Sequence, residues 1–167
     1  LHELRLENVN DELKTWVSAQ IAGGAVGAMG FGSPRAEVER LLDGAADLAD
    51  IVQTGWSVGD APFRPARPRV LITHGALRKL DVIEAWLAAE PGRAKALSDS
   101  VGDDLSSRGV LAELLVAAAL AHNEKGIVMI RSGQPARLQR YVALCSDKAR
   151  LAQGGELAKL LEGKLPT

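Results

Sequence analysis

Between Val110 and Ala121 the chain carries a single charged residue, Glu113. Leu111, Leu114, Leu115, Ala118 and Leu120 fall on most sides of a helical projection of this run. A helix that is apolar nearly all round must be enclosed by other elements, so this one, expected from about Leu105 to His122 and closed by Gly126, is predicted to be the centre of the core. The rest of the sequence can supply the surrounding helices. Of 167 residues 26 are Ala and 24 are Leu, while aromatics make up only 4%. Ala and Leu favour helix, whereas strands recruit β-branched and aromatic side chains. With 47% hydrophobic and 25% charged residues the composition is that of a globular chain of one domain, or two small ones. Disorder and a large multidomain enzyme are excluded.

Around that centre the periodicities predict further elements. Leu4, Leu6, Val9, Leu13, Trp16 and Val17 suit an amphipathic helix broken or capped near Asn8 to Asp11. Thr15 to Pro34 is a run of twenty uncharged residues, long enough for a membrane span. Its glycines, with Ser18 and Gln20, make it a poor lipid segment, and a membrane role is disfavoured. It reads instead as a buried helix whose small residues permit close helix approach, followed by a glycine-rich turn at Gly30 to Gly32. Ser33 and Pro34 look like an N-cap and first helical position, opening a helix through Val38, Leu41, Leu42, Ala45, Leu48, Ala49 and Val52 to about Gln53. Residues 54–68 hold Gly55, Gly59, Pro62, Pro65 and Pro68 and read as a linker, with Trp56 and Phe63 as anchors on the protein's own core. Arg69 to His74 suits a short strand ended by Gly75. Helices follow around Leu80 to Leu87 and Ala94 to Val101, ahead of the central one. Ile127 to Ile130 reads as a strand, Ser132 to Pro135 as a turn, and Tyr141 to Cys145 as a returning strand. The tail, interrupted by Gly154 and Gly155, reads as two short helices. The expected organisation is thus a helical segment over 1–53, a linker over 54–68 and a mixed domain over 69–167.

The order of strand, three helices, strand, turn and strand resembles the winged-helix variant of helix-turn-helix domains. The residues that carry the likeness are Leu80 to Leu87, Ala94 to Gly102, Gly126 to Gly133 and Arg140 to Leu144. It implies a mainly helical α+β fold, with N-terminal helices and a C-terminal three-helix unit bearing a small β-hairpin. In such domains a recognition helix enters the major groove and the wing meets phosphate. Lys125, Arg131, Arg137, Arg140, Lys148 and Arg150 face Asp147 alone among the charges from 125 to 150, a local charge of +5. Arg108, Lys125, Arg131, Arg137 and Arg140 are therefore the candidate nucleic-acid contacts. The recognition helix departs from the pattern, because Asp103 and Asp104 stand where phosphate would approach.

No coherent catalytic set is present, and neither a cofactor nor a metal is implied. Thr73-His74-Gly75 places a histidine at a strand end, but the Gly-x-Ser-x-Gly turn of α/β-hydrolases is missing. The loop around Gly30, Gly32 and Ser33 could offer backbone N–H groups to an anion, without the lysine of a phosphate-binding loop. These three residues and His74 are the candidate ligand contacts. Cys145, the single cysteine, reads as a small core residue and suggests a reducing, cytoplasmic setting. Leu1 in place of an initiator methionine suggests an excised or processed segment. The leading expectation is a non-enzymatic interaction or regulatory protein that self-associates or binds a protein partner through helices. A DNA-binding transcriptional regulator and a small-ligand or nucleotide-binding enzyme domain are the alternatives.

Overall fold

The side chain of Asn10 accepts a hydrogen bond from the Leu13 amide at 2.8 Å and opens α1 (Asp11–Ala22) at the cap the sequence suggests. The computed structural model describes residues 1–65 and 70–166. After α1 come β1 (Gly30–Gly32), α2 (Arg35–Gly44), β2 (Ile51–Gly55), β3 (Val70–His74), α3 (Leu80–Ala88) and α4 (Pro91–Val101). Then follow α5 (Arg108–His122), β4 (Ile127–Met129), α6 (Pro135–Leu144) and α7 (Lys148–Leu161). The strands form one parallel sheet in the order β1-β2-β3-β4, an α/β arrangement of Rossmann-like kind.

This overturns the expected α+β fold with a winged-helix-like hairpin. Ile127–Met129 is a strand, but its expected partner over Tyr141 to Cys145 is part of α6. Pro135 presets the first helical turn, and Tyr141 and Leu144, three residues apart, bury one helical face against Val116 and Ala117. A short apolar run is ambiguous between strand and helix, and here that spacing decides for helix. The element order from β3 through three helices to β4 is that of a parallel crossover, which needs a connection of about a dozen residues or more. Two further strands stand where the sequence predicts other elements. Gly30–Gly32 is β1 rather than a turn, and Ile51–Gly55 is β2 rather than the end of a helix, α2 having stopped at Gly44. Residues 66–68 of the expected linker and Arg69 of the expected strand lie outside the described residues. Among the described residues no helix is long and apolar enough to cross a membrane. The uncharged run is not a buried helix either: in α1 only Val17 is buried, and Trp16 and Ile21 are 52% and 38% exposed.

The chain divides into two compact units. The first holds Leu1–Gly55, Arg64–Thr73 and Lys125–Ile127. In it β1 and β2 pair in the register Gly30↔Ile51, Phe31↔Val52 and Gly32↔Gln53, and Phe31, Val38, Leu41, Leu48 and Val52 are buried.

The second unit holds Trp56–Phe63, His74–Glu124 and Val128–Thr167, and α5 is its centre, as the nearly all-round apolar run from Val110 to Ala121 predicts. Leu111, Leu114 and Leu115 pack with Ile83 and Leu87 of α3, Leu97 and Val101 of α4, and Leu157 and Leu161 of α7. The contact of α7 with α5 rests on Gly154, in the middle of one continuous helix where two short ones were expected. A Cβ there would lie 2.7 Å from the carbonyl carbon and 2.8 Å from the Cβ of Ala117. Only glycine permits this backbone-to-backbone approach.

One partly buried cation ties the same helices at their polar edge. The Arg150 guanidinium bonds the Asp103 carboxylate, the Gln153 side chain at 3.0 Å and Glu113 at 3.5 Å. Gln153 in turn donates to the Val101 carbonyl at 3.1 Å. The Arg150 hydrogen bond holds the Asp103 carboxyl below its ordinary value of 3.8. A carboxyl whose folded pKa is depressed contributes stability above that ordinary value and loses it as the pH falls through the folded pKa.

Glycine to alanine within a helix ordinarily stabilises by roughly 0.5–1 kcal/mol. Gly155→Ala follows that rule here, because its Cβ would meet only Ala121 Cβ at 3.9 Å. Gly154→Ala is expected to reverse it and destabilise by roughly 2 kcal/mol, the cost of overpacking a fitted contact. Urea denaturation of the two variants beside the wild type checks the opposite signs.

Candidate functional site

The sequence pattern that ends β3 also builds a concavity in the second unit. His74 is the last residue of β3, and its carbonyl accepts the Trp56 amide at 2.9 Å. The chain then turns through Gly75 to Arg78, with the Arg78 amide bonded to the Gly75 carbonyl at 2.9 Å. Ala76 is buried in the apolar cluster of α5, and Leu77 packs against that cluster, so the turn is fixed from below. At the end of β4 lie Met129, Ile130 and Arg131. These two strand ends enclose a pocket of about 320 Å³ lined by His74, Gly75, Ala76, Leu77, Arg78, Met129, Ile130 and Arg131. Open α/β sheets bind ligands outside the carboxyl ends of their strands where the strand order reverses; the order β1-β2-β3-β4 has no reversal, so the lining alone carries the case here.

The lining contains two guanidiniums and no carboxylate. Arg78 bonds Asp60 at 2.6 Å, and Lys79 reaches the same carboxylate at 2.8 Å. Asp60 is set by a turn over Ser57 to Asp60, in which the Asp60 amide bonds the Ser57 carbonyl at 3.0 Å and Asp60 Oδ2 accepts the Ser57 amide at 2.8 Å. Gly59 at φ +83° is the residue that allows this turn its positive-φ third position. The Arg131 side chain is exposed and has no ion pair among the described residues. The pocket therefore offers one uncommitted cation, one cation shared with Asp60, and an imidazole, over a floor of Ala76, Leu77, Met129 and Ile130.

The residues singled out from sequence are distributed as follows. His74 and Arg131 come together in this pocket, one from the ligand set and one from the nucleic-acid set. Arg108 begins α5 and is engaged by Asp81 at 2.7 Å and by Glu84. Arg137 and Arg140 are exposed on α6, not on a wing, and Arg140 stands 3.7 Å from Glu113. Lys125 is exposed and belongs to the first unit. Gly30 and Gly32 belong to β1 and pair with β2, so they do not form an anion-cradling loop. The Ser33 hydroxyl donates to the carbonyls of Leu4 at 2.7 Å and Gly32 at 2.8 Å, and the cap position of α2 is Pro34. Cys145 is exposed after α6 instead of buried. Trp56 is buried as anticipated, and it stacks on His122 with ring centroids 4.1 Å apart and planes 5° from parallel. No group of three His, Cys, Asp or Glu side chains among the described residues could hold a metal ion.

Sequence reasoning missed Asp60 and Arg78. The available signal was the pair Arg78-Lys79 following a strand-ending His74-Gly75, which gains meaning only once β3 and β4 are known to be parallel neighbours. No family model matches the chain, and no curated protein matches it either.

Proposed function

We propose that this chain is a binding protein for a small acidic molecule, held in the pocket at the carboxyl ends of β3 and β4. The observation that carries the reading is the pairing of an unengaged guanidinium, Arg131, with an apolar floor in a concavity whose lining contains no carboxylate. Pockets for small ligands combine largely apolar walls with a few placed polar groups, and about 320 Å³ is at the small end of their range. A guanidinium is the side chain best matched to a carboxylate or phosphate, through paired hydrogen bonds. The reading is one of binding without chemistry: His74 is the only lining residue suited to moving a proton, and no nucleophile lines the pocket with it. Backbone NMR during titration with octanoate tests it. Shifts at Gly75, Ala76, Met129 and Arg131 with a dissociation constant of about 1 mM or tighter are expected, and Arg131→Met should abolish them. Shifts that persist unchanged in Arg131→Met, or that fall elsewhere, overturn the assignment.

A second reading, a partner or dimer contact through helices, is favoured by one observation. Trp16 and Ile21 of α1 are large apolar side chains standing 52% and 38% exposed. Aromatic side chains are enriched at protein interfaces. Sedimentation velocity over a range of concentrations should then reveal self-association that Trp16→Ser weakens, and a strict monomer at every concentration removes the self-association form of this reading.

A further inference from the structure

We infer that Asp60 restricts the pocket to a single acidic head group, so that its ligand is a carboxylate or phosphomonoester on a short apolar body and not a di- or triphosphate. The inference rests on the binding reading of the same pocket.

Of the two lining guanidiniums, Arg78 is already bonded to Asp60 at 2.6 Å. That carboxylate is not free to swing away. It is one-fifth exposed, accepts the Ser57 amide at 2.8 Å, and is held from its other oxygen by Lys79 at 2.8 Å. Lys79 itself does not line the pocket. A ligand therefore meets Arg131 as a cation with no counter-ion, and Arg78 as a cation whose counter-ion, Asp60, is shared with Lys79. One anionic group satisfies Arg131. A second anionic group, bonded directly to the first as in a pyrophosphate, would need the other guanidinium and would meet Asp60 beside it. Discrimination of this kind comes from the repulsive element as much as from the attractive one. Beyond the guanidiniums, His74 is the one lining side chain that can donate a hydrogen bond; Ala76, Leu77, Met129 and Ile130 offer none to a second phosphate and give an alkyl body a surface to cover.

Titration calorimetry of the whole chain with octanoate, octyl phosphate and inorganic pyrophosphate tests this. In the wild type at least one of the octyl ligands should bind about tenfold more tightly than pyrophosphate, the equivalent of one charge-assisted hydrogen bond at the weak end of its range. Which of the two is tighter identifies the head group. Asp60→Asn keeps an acceptor for the Ser57 amide and releases the charge of Arg78, so pyrophosphate should gain about tenfold while octanoate changes by less than about threefold. Equal or tighter wild-type binding of pyrophosphate overturns the inference while leaving the binding reading intact. So does a folded Asp60→Asn protein with unaltered pyrophosphate affinity. No heat or shift with any of the three ligands overturns the binding reading itself. The wild-type comparison needs no variant to fold.

Discussion

The close passage of α7 over α5 at Gly154 is the constraint from which the second unit is organised. Two helices normally meet through interlocking side chains at axial separations of about 8–10 Å. Here one backbone lies directly against the other, because Gly154 opposite Ala117 and Ala118 removes the side chains that would hold them apart. The flanking residues Leu157 and Leu161 then reach the same cluster as Leu111, Leu114 and Leu115. Such proximity explains why α5 can be apolar on almost every side. α3, α4 and α7 bury its larger residues, and α6 closes over Val116 and Ala117 with Tyr141 and Leu144.

The pocket inherits its position from that cluster. Ala76 and Leu77 are at once the anchor of the turn after β3 and part of the pocket lining, so the floor of the site is the edge of the core. Trp56, stacked on His122 at the end of α5, fixes the start of the segment that carries Ser57 and Asp60. From there the chain of contacts runs to Arg78 and sets the charge the pocket presents. Packing, turn geometry and electrostatics thus meet at the end of β3.

The elements with a strong helical period were legible from the sequence, and α5 most of all, since a long apolar run with the single charge of Glu113 between Val110 and Ala121 has few alternatives. The strand at His74 was legible too, through its β-branched residues and the glycine that ends it. What could not be read was pairing. Ile51–Gly55 continues the apolar spacing of α2 well enough to pass for its last turn, and Gly30–Gly32 has no β-branched residue at all; each becomes a strand only because the other lies beside it. Tyr141 to Cys145 failed in the opposite sense, as a run opened by the strand formers Tyr141 and Val142 that a preceding proline and a buried face on α5 convert to helix. The site suffered from the same gap. His74 and Arg131 were each noticed for a separate reason, and only parallel pairing of β3 and β4 brings them to one pocket, with Asp60 and Arg78 beside them. Gly154 looked like a helix breaker because glycine propensity is a local quantity, whereas the reason for this glycine lies on another helix.

Amide hydrogen exchange resolved by residue tests the organising role of the α5 and α7 contact most directly. Elements that open together exchange with a common free energy, and the most stable set reports global unfolding. Amides in the middle of α5 and α7, around Ala117 and Gly154, are predicted to exchange last and at the same limiting free energy, with those of Ala76 and Leu77 following the same unit. Exchange of α7 well ahead of α5, while α5 stays protected, would contradict the account.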